Sequence, residues 1–349
     1  MAADDLAARR AKLVDKLWQT LFGGGDTAML APWRLRQRPG DRARVRDAEA
    51  RAVNTMLAEL DDLHAGRKVF NRAGELVDAD DTRSVSTIRM NSIIEVQEED
   101  PAADLGVPDT AEALRAIRLH ADIEALRRSL NLRRIGLRAE VLAEELDFTS
   151  MSERAVDADW LLRWQESAAR AVAKDFQDLW AHVLVDEVRQ PGSHSLRTLN
   201  WMNTLSRADV ETIRIVSRLD LGGFVCRDAA GYFNPDIHDP LFAQLVEMGL
   251  IADHASAQVT LKTSAPSGFR AVLRCRTKAL VIEGVGEELA LSAYPFTRLG
   301  HEIFALFQTT ADSAYLFAVG NALKKRGFRV DIGDWSQKGG GQFAEKMKL

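Results

Sequence analysis

Three groupings in the chain have residue types that could do chemistry. Asp236, His238 and Asp239 fall within four residues, with His254 downstream. Oxygen and nitrogen donors at that spacing suit a divalent metal. The same stretch also reads as plain local structure, because Asn234-Pro235-Asp236 is a turn and Asp239-Pro240 is a helix start running to Met248. His182 and His194 flank a Pro191-Gly192 turn, with Asp186, Ser193 and Ser195 close in sequence. That is the inventory of a base, an orienting acid and a nucleophile, but its order matches no nucleophile elbow. Lys278 and Glu283 stand in an unsuitable order for a carboxylate-and-lysine nuclease, and Gly23-Gly24-Gly25 lacks the Gly-Lys-Ser/Thr of a phosphate loop. No GxSxG, HExxH, Walker or GxGxxG pattern occurs. The reading is therefore of a protein with no catalytic residue, no metal and no cofactor.

Basic residues form a second kind of candidate. Arg34, Arg36, Arg38, Arg42, Arg44, Arg46 and Arg51 face only three acids in the same segment. Such a patch can grip phosphates in a salt-dependent way. The plainer reading is a solvated helix face with i,i+4 partners such as Asp47 and Arg51. Arg127, Arg128, Arg133, Arg134 and Arg138 repeat the pattern further on.

The elements that must position these residues are mostly helices. Leu6, Leu13, Leu17 and Leu21 recur at helical spacing over residues 4–22, beside Arg9, Arg10, Lys12 and Lys16. With Trp18 and Phe22 this segment could lie on a membrane surface or dock on neighbouring helices. A second helix is expected over 41–65, and residues 67–106 lose periodicity and read as a polar linker. Asp109 caps a helix that can reach Leu146, about 55 Å long, with Asn131 or Gly136 as its weak points. Short helices follow from Asp157 or Asp159 to Leu219, including a capping box at Ser206–Asp209. From Leu221 the pattern changes to short strands, a helix, Val- and Thr-rich strands and two more helices. The fold class is thus mainly α. An N-terminal and central antiparallel helical array is followed by a smaller α+β, winged-helix-like domain. The expected divisions are 1–66, 67–106, 107–220, 221–335 and a frayed tail, 336–349.

Whole-chain properties narrow the classes. The 349 residues are 46% hydrophobic and 28% charged, which is ordinary for a folded protein. A net charge of −5 argues against a dedicated polyanion coat without excluding a local basic patch. No apolar run is long enough to span a membrane, and Met1-Ala2-Ala3-Asp4-Asp5 does not resemble a secretory signal. Cys226 and Cys275 lie far apart and form no ligand cluster, which fits free thiols in the cytoplasm.

The run Gln177–Asp209, led by Val156–Ala168, resembles a bacterial family of unknown function. Its marks are a Gln-x-Leu-Trp-Ala-x-x-Leu-x-x-Glu helix, a Pro-Gly-Ser turn and an Arg-Thr-Leu helix. In this chain they are carried by Trp180, Glu187, Pro191, Gly192 and Arg197. Gly249-Leu250-Ile251 and Phe296–Glu302 belong to the same resemblance. The family is distantly similar to the alpha group of abortive-infection proteins, which implies a role in anti-phage defence. Read physically, the signature is architectural: Trp164, Trp180 and Leu184 pack helices, and Glu187 pairs with Arg197 across the turn.

The region from Leu221 onward is similar to a winged helix. Its recognition helix would carry Gln244 and Glu247 and no basic residue, which favours protein contact over DNA. DNA binding would then rest on Lys262, Arg270, Arg274 and Arg276. The expectation is a non-enzymatic interaction or scaffold protein with a protein partner or self-assembly. A DNA-binding regulator and a metal-dependent hydrolase or nuclease are the alternatives.

Overall fold

The computed structural model describes residues 2–22, 42–70, 76–79, 110–148, 150–229, 231–252, 257–264, 268–336 and 342–348. Ten helices and nine strands fall among them. The chain divides into two compact units, Met1–Pro191 and Gly192–Leu349. The division falls inside the expected 107–220 array, at the Pro191-Gly192 turn, where Gly192 has φ +94°.

The first unit holds α1 (Ala2–Phe22), α2 (Arg42–His64), α3 (Thr110–Glu145), α4 (Ala158–Ala168) and α5 (Lys174–Arg189). Helix α3 is the spine, with α1, α2, α4 and α5 packed on it. It runs unbroken for 36 residues, about 54 Å, so neither Asn131 nor Gly136 interrupts it. Gly136 is instead where α1 crosses closely: a Cβ there would lie 3.0 Å from Leu21 Cδ1 and 3.1 Å from Trp18 Cη2. Asn131 is buried and donates from Nδ2 to Ala169 O at 2.9 Å. From α1, the side chains of Leu13, Leu17 and Trp18 are essentially fully buried, each contributing about 2 kcal/mol. Helix α2 buries Val53, Leu57, Leu60 and Leu63 at i, i+4, i+7 and i+10. Of the stripe expected from sequence, Val45, Ala48, Ala52, Met56, Leu60 and Leu63, only the last two are buried, and Met56 is 40% exposed.

A small hairpin, β1 (Lys68–Phe70) with β2 (Leu76–Asp78), occupies the start of the expected linker. Its three-residue strands are too short for alternation to stand out in sequence. The segment Ile88–Val96 and the triple glycine 23–25 lie outside the described residues.

In the second unit, α6 (Leu196–Met202) and α7 (Arg207–Ser217) precede β3 (Phe224–Cys226) and α8 (Pro235–Glu247). Helix α8 starts at Pro235, not at Asp239-Pro240. Proline suits a first helical position because its missing N–H has no intrahelical role there. Then come β4 (Gln258–Lys262), β5 (Phe269–Cys275), β6 (Lys278–Gly284) and β7 (Glu288–Pro295). Helices α9 (Arg298–Ala305) and α10 (Ser313–Lys325) follow, then β8 (Arg329–Ser336) and β9 (Gln342–Lys348). The strands form two antiparallel sheets, ordered β3-β7-β4 and β5-β6-β8-β9. The expected single strand 269–283 is a hairpin, turned at Arg276, which sits at φ 57°. The tail read as frayed contributes β9, paired to β8 with a register shift at Gly333/Asp334.

The expected capping box at Ser206–Asp209 and a cap at Asp157 are present, and the expected cap Asp109 lies outside the described residues. Asp157 accepts from Trp160 N, Ser195 from Thr198 N, Thr297 from Gly300 N and Asp312 from Tyr315 N. Ser206 and Asp209 close a reciprocal capping box.

Thr297 locks α9 to the turn after α8. Its Oγ1 donates to Gly249 O at 2.6 Å and its N–H to Leu250 O at 3.0 Å. The approach is so close that a Cβ on Gly300 would stand 2.0 Å from Leu250 O. Helix propensity alone predicts that Gly300→Ala stabilises by about 1 kcal/mol. The packing predicts the opposite sign, a loss of about 3 kcal/mol, because backbone must move. Urea unfolding of the variant decides between them.

Candidate functional site

Polar side chains gather in the interior of each unit, and the sequence elements singled out above supply most of them. In the first unit Glu140 on α3 is fully buried. Trp18 Nε1 donates to its Oε2 at 2.8 Å, and Arg46 Nη1 of α2 stands 3.8 Å from its Oε1. Arg46 also bonds Glu144, and Arg133 bonds Glu49. The Arg133 guanidinium lies over the Trp18 and Phe22 rings, 5.2 and 5.3 Å from their centroids. Burial lowers the pKa of Arg133, with partial opposition from Glu140. For Arg46 the burial penalty is outweighed by the hydrogen bond and charge of Glu144, and its pKa rises. Such a network ties three helices together, and removing one partner would leave a buried charge, costing about 3–5 kcal/mol.

The cations of α1 close helix ends. Arg10 donates from Nε to Leu146 O at 2.7 Å and from Nη2 to Glu145 O at 2.8 Å, at the carboxyl terminus of α3. Lys16 Nζ donates to Ser152 O, Arg154 O and Val188 O, each at 2.8 Å. These are orphan carbonyls that a cation serves well. With Leu13, Val14, Leu17, Trp18 and Leu21 all buried, α1 could lie on a membrane only by leaving its unit.

In the second unit the centre is Glu302 of α9. Its Oε2 accepts from Ser195 N at 3.0 Å and from Thr198 Oγ1. Ser195 Oγ stands 3.0 Å from Thr198 Oγ1, and Trp201 Nε1 donates to Met248 O at 3.1 Å. Burial by itself would raise the Glu302 pKa. The bonds from Ser195 and Thr198 and the nearby charge of His194 outweigh it, and the pKa falls. The Arg-Thr-Leu helix, the Gly-Leu-Ile turn and the Phe-Thr-Arg-Leu-Gly-His-Glu element thus meet at one place. Tyr315 is the other buried anchor: its Oη accepts from Cys226 N at 2.7 Å and donates to Cys226 O at 3.3 Å. Cys226 and Cys275 are free and buried, and burial pushes both thiols up to about 12.

The signature residues take packing positions. Trp164 is fully buried and donates from Nε1 to Trp180 O at 3.2 Å. Glu187 is buried in the first unit and Arg197 is exposed in the second, so the expected pair is a feature of neither unit. His182, in the first unit, holds Asp178 O at 2.8 Å through Nδ1, and His194 is buried in the second.

The other candidates are dispersed. His238 Nδ1 lies 3.0 Å from both N and O of Asn234, as a local turn would place it, and Asp239 is exposed. The side chain of Asp236, and His254, are outside the described residues. Among the described residues no three His, Cys, Asp or Glu side chains are grouped to hold a metal. Arg34, Arg36 and Arg38 also lie outside them. Arg42 is half-buried beside Asp15, whose pKa burial raises and the Arg42 charge only partly brings back, while Arg44 is exposed. Lys262 pairs with Glu288 at 3.7 Å, Arg270 with Glu283 at 3.6 Å, and Arg274 covers the Trp335 ring. Arg276 is turned inward, donating to Ser217 O at 2.7 Å and Phe304 O at 2.9 Å.

The described residues define a mainly helical protein with small antiparallel sheets in its C-terminal part. No described helix is long and apolar enough to cross a membrane. Residues 120–221 match a family described as a protein of unknown function (DUF2806). No curated protein and no solved structure matches the chain.

Glu302 gives a pH-dependent test. A carboxyl held below its ordinary value adds stability that is complete above that value and lost as pH falls through the depressed one. Chemical denaturation of the wild type should therefore show stability falling below about pH 5. Glu302→Gln should be less stable at pH 7, by about 1–2 kcal/mol, and show a flatter acid limb. Equal slopes in both proteins would mean that Glu302 is not the carboxylate responsible.

Proposed function

We propose that this chain is a non-enzymatic interaction protein that acts by assembly, with α3, α4 and α5 as its platform. The observation that carries this reading is the division of labour on those helices. Their signature aromatic and polar side chains are engaged in packing, while α3 leaves Leu114, Ile117 and Leu126 at 53%, 59% and 46% exposure. Apolar side chains of that size outside a well-packed helix suit a protein partner, a second copy of the chain being the simplest.

The second unit supports a winged-helix-like reading. Helix α7, β3, α8, β4 and β7 follow in chain order, and the sheet order β3-β7-β4 places the last strand in the middle. Hairpin β5-β6 is then an insertion between β4 and β7. Helix α8 has no arginine or lysine, and its Gln244 donates to Asp209 Oδ1 at 3.0 Å. With the expected wing cations paired or turned inward, the face formed by α8 and the wing suits protein contact better than DNA. The resemblance to abortive-infection alpha proteins makes phage defence the setting.

Light scattering across a concentration series should give a mass that is a multiple of 38.7 kDa. A double change, Leu114→Lys with Ile117→Lys, should return it to the monomer. A monomer throughout would remove self-assembly. In a sensitive bacterial host, expression should lower phage plating efficiency by at least about tenfold, and unchanged plating across a phage panel would remove the defence setting.

A further inference from the structure

The second unit leaves cations unengaged around the carboxyl end of α10. Lys324 and Lys325 are exposed, and their ammonium groups have no ion-pair or hydrogen-bond partner among the described residues. They line an open groove of about 800 Å3 together with Tyr232, Phe317 and Asn321. Lys325 also borders a second groove, of about 600 Å3, walled by Arg227, Arg326, Gln258 and Ser292. Asp228 is the single carboxylate among the described residues that line the two grooves, and it is engaged. Arg326 lies 3.7 Å from it and Ser292 N donates to it at 3.0 Å. A strip rich in positive charge therefore runs across a chain whose net charge is −5.

The openness of both grooves selects the ligand. A small anion would keep most of its water here, and one exposed lysine contributes little to holding it. A polyanion gains from several weak contacts at once, because each phosphate neutralised releases counterions. Phe317 adds a flat apolar surface beside the lysines, half-buried and without a ring partner among the described residues. An unpaired base can lie on such a ring; a duplex keeps its bases stacked inside, and an acidic peptide has none to offer. We propose that single-stranded nucleic acid binds along this strip, its phosphates on Lys324 and Lys325 and a base against Phe317. The site does not depend on the assembly described above, which uses the other unit.

Fluorescence anisotropy of a labelled oligothymidylate, about 20 nucleotides long, tests it on the full chain. Binding should weaken with salt. In K324A/K325A it should fall at least about tenfold at low salt, with the slope of log affinity against log salt reduced by about 1.4. Phe317→Ala should lose about tenfold with the slope unchanged. Arg207→Ala, an exposed cation on α7, should bind as the wild type. Circular dichroism should be the same for all. Absence of salt-sensitive binding, or wild-type affinity in the double variant, would overturn the site. A duplex or polyglutamate bound as tightly as the single strand would overturn the assignment of the ligand.

Discussion

Carbonyl groups at the ends of helices must find donors, and this constraint organises both units. A helix leaves its last four carbonyls unbonded and carries a partial negative charge there. In the first unit Arg10 closes the end of α3, and Lys16 serves Val188 O at the end of α5 with two loop carbonyls besides. In the second, Arg276 reaches from the β5-β6 turn to Ser217 O and Phe304 O, at the ends of α7 and α9. Arg276 holds a left-handed backbone that a non-glycine residue adopts at some cost. The two partly buried carbonyl bonds offset that strain, and they link the hairpin to the helices.

Arginine in this chain is therefore an internal connector as much as a surface charge. Seen as a list, Arg42, Arg44 and Arg46 resemble a phosphate-binding run. In space Arg46 faces inward to Glu140 and Glu144, and Arg133, another member of an arginine-rich stretch, sits between Glu49 and two aromatic rings. Guanidinium tolerates this because it stays charged, is weakly hydrated and stacks on rings. What separates Lys324 and Lys325 from these arginines is that no carbonyl, carboxylate or ring among the described residues takes up their ammonium groups.

Local signals were legible and distant ones were not. The caps at Asp157, Ser195 and Thr297, the box at Ser206–Asp209 and the apolar stripe of α1 follow from spacing within one or two turns. Periodicity also showed α3, but the two residues read as weak points have reasons to be there that lie elsewhere in sequence. Gly136 makes room for Trp18, and Asn131 bonds Ala169 O. Glu302 was visible only as the last letter of a recurring element; its partners Ser195 and Thr198 are more than a hundred residues away. Strand β9 follows three glycines, which suggest fraying, and only pairing with β8 gives it order.

The stretch similar to the family of unknown function, residues 120–221, does not coincide with a structural unit. It begins inside α3 and ends beyond the Pro191-Gly192 division. Within the first unit, α3 relies on Trp18 and Arg46 from helices that precede the match, because Glu140 would otherwise lose donors while buried. Within the second, the amide of Ser195 and the hydroxyl of Thr198 rely on Glu302, which follows it. A chain cut to the matched residues would therefore expose the apolar faces of α3 and strip both polar centres of a partner. The signature is the middle of two cores rather than a domain of its own, and activity sought in it alone would be sought in an incomplete fold.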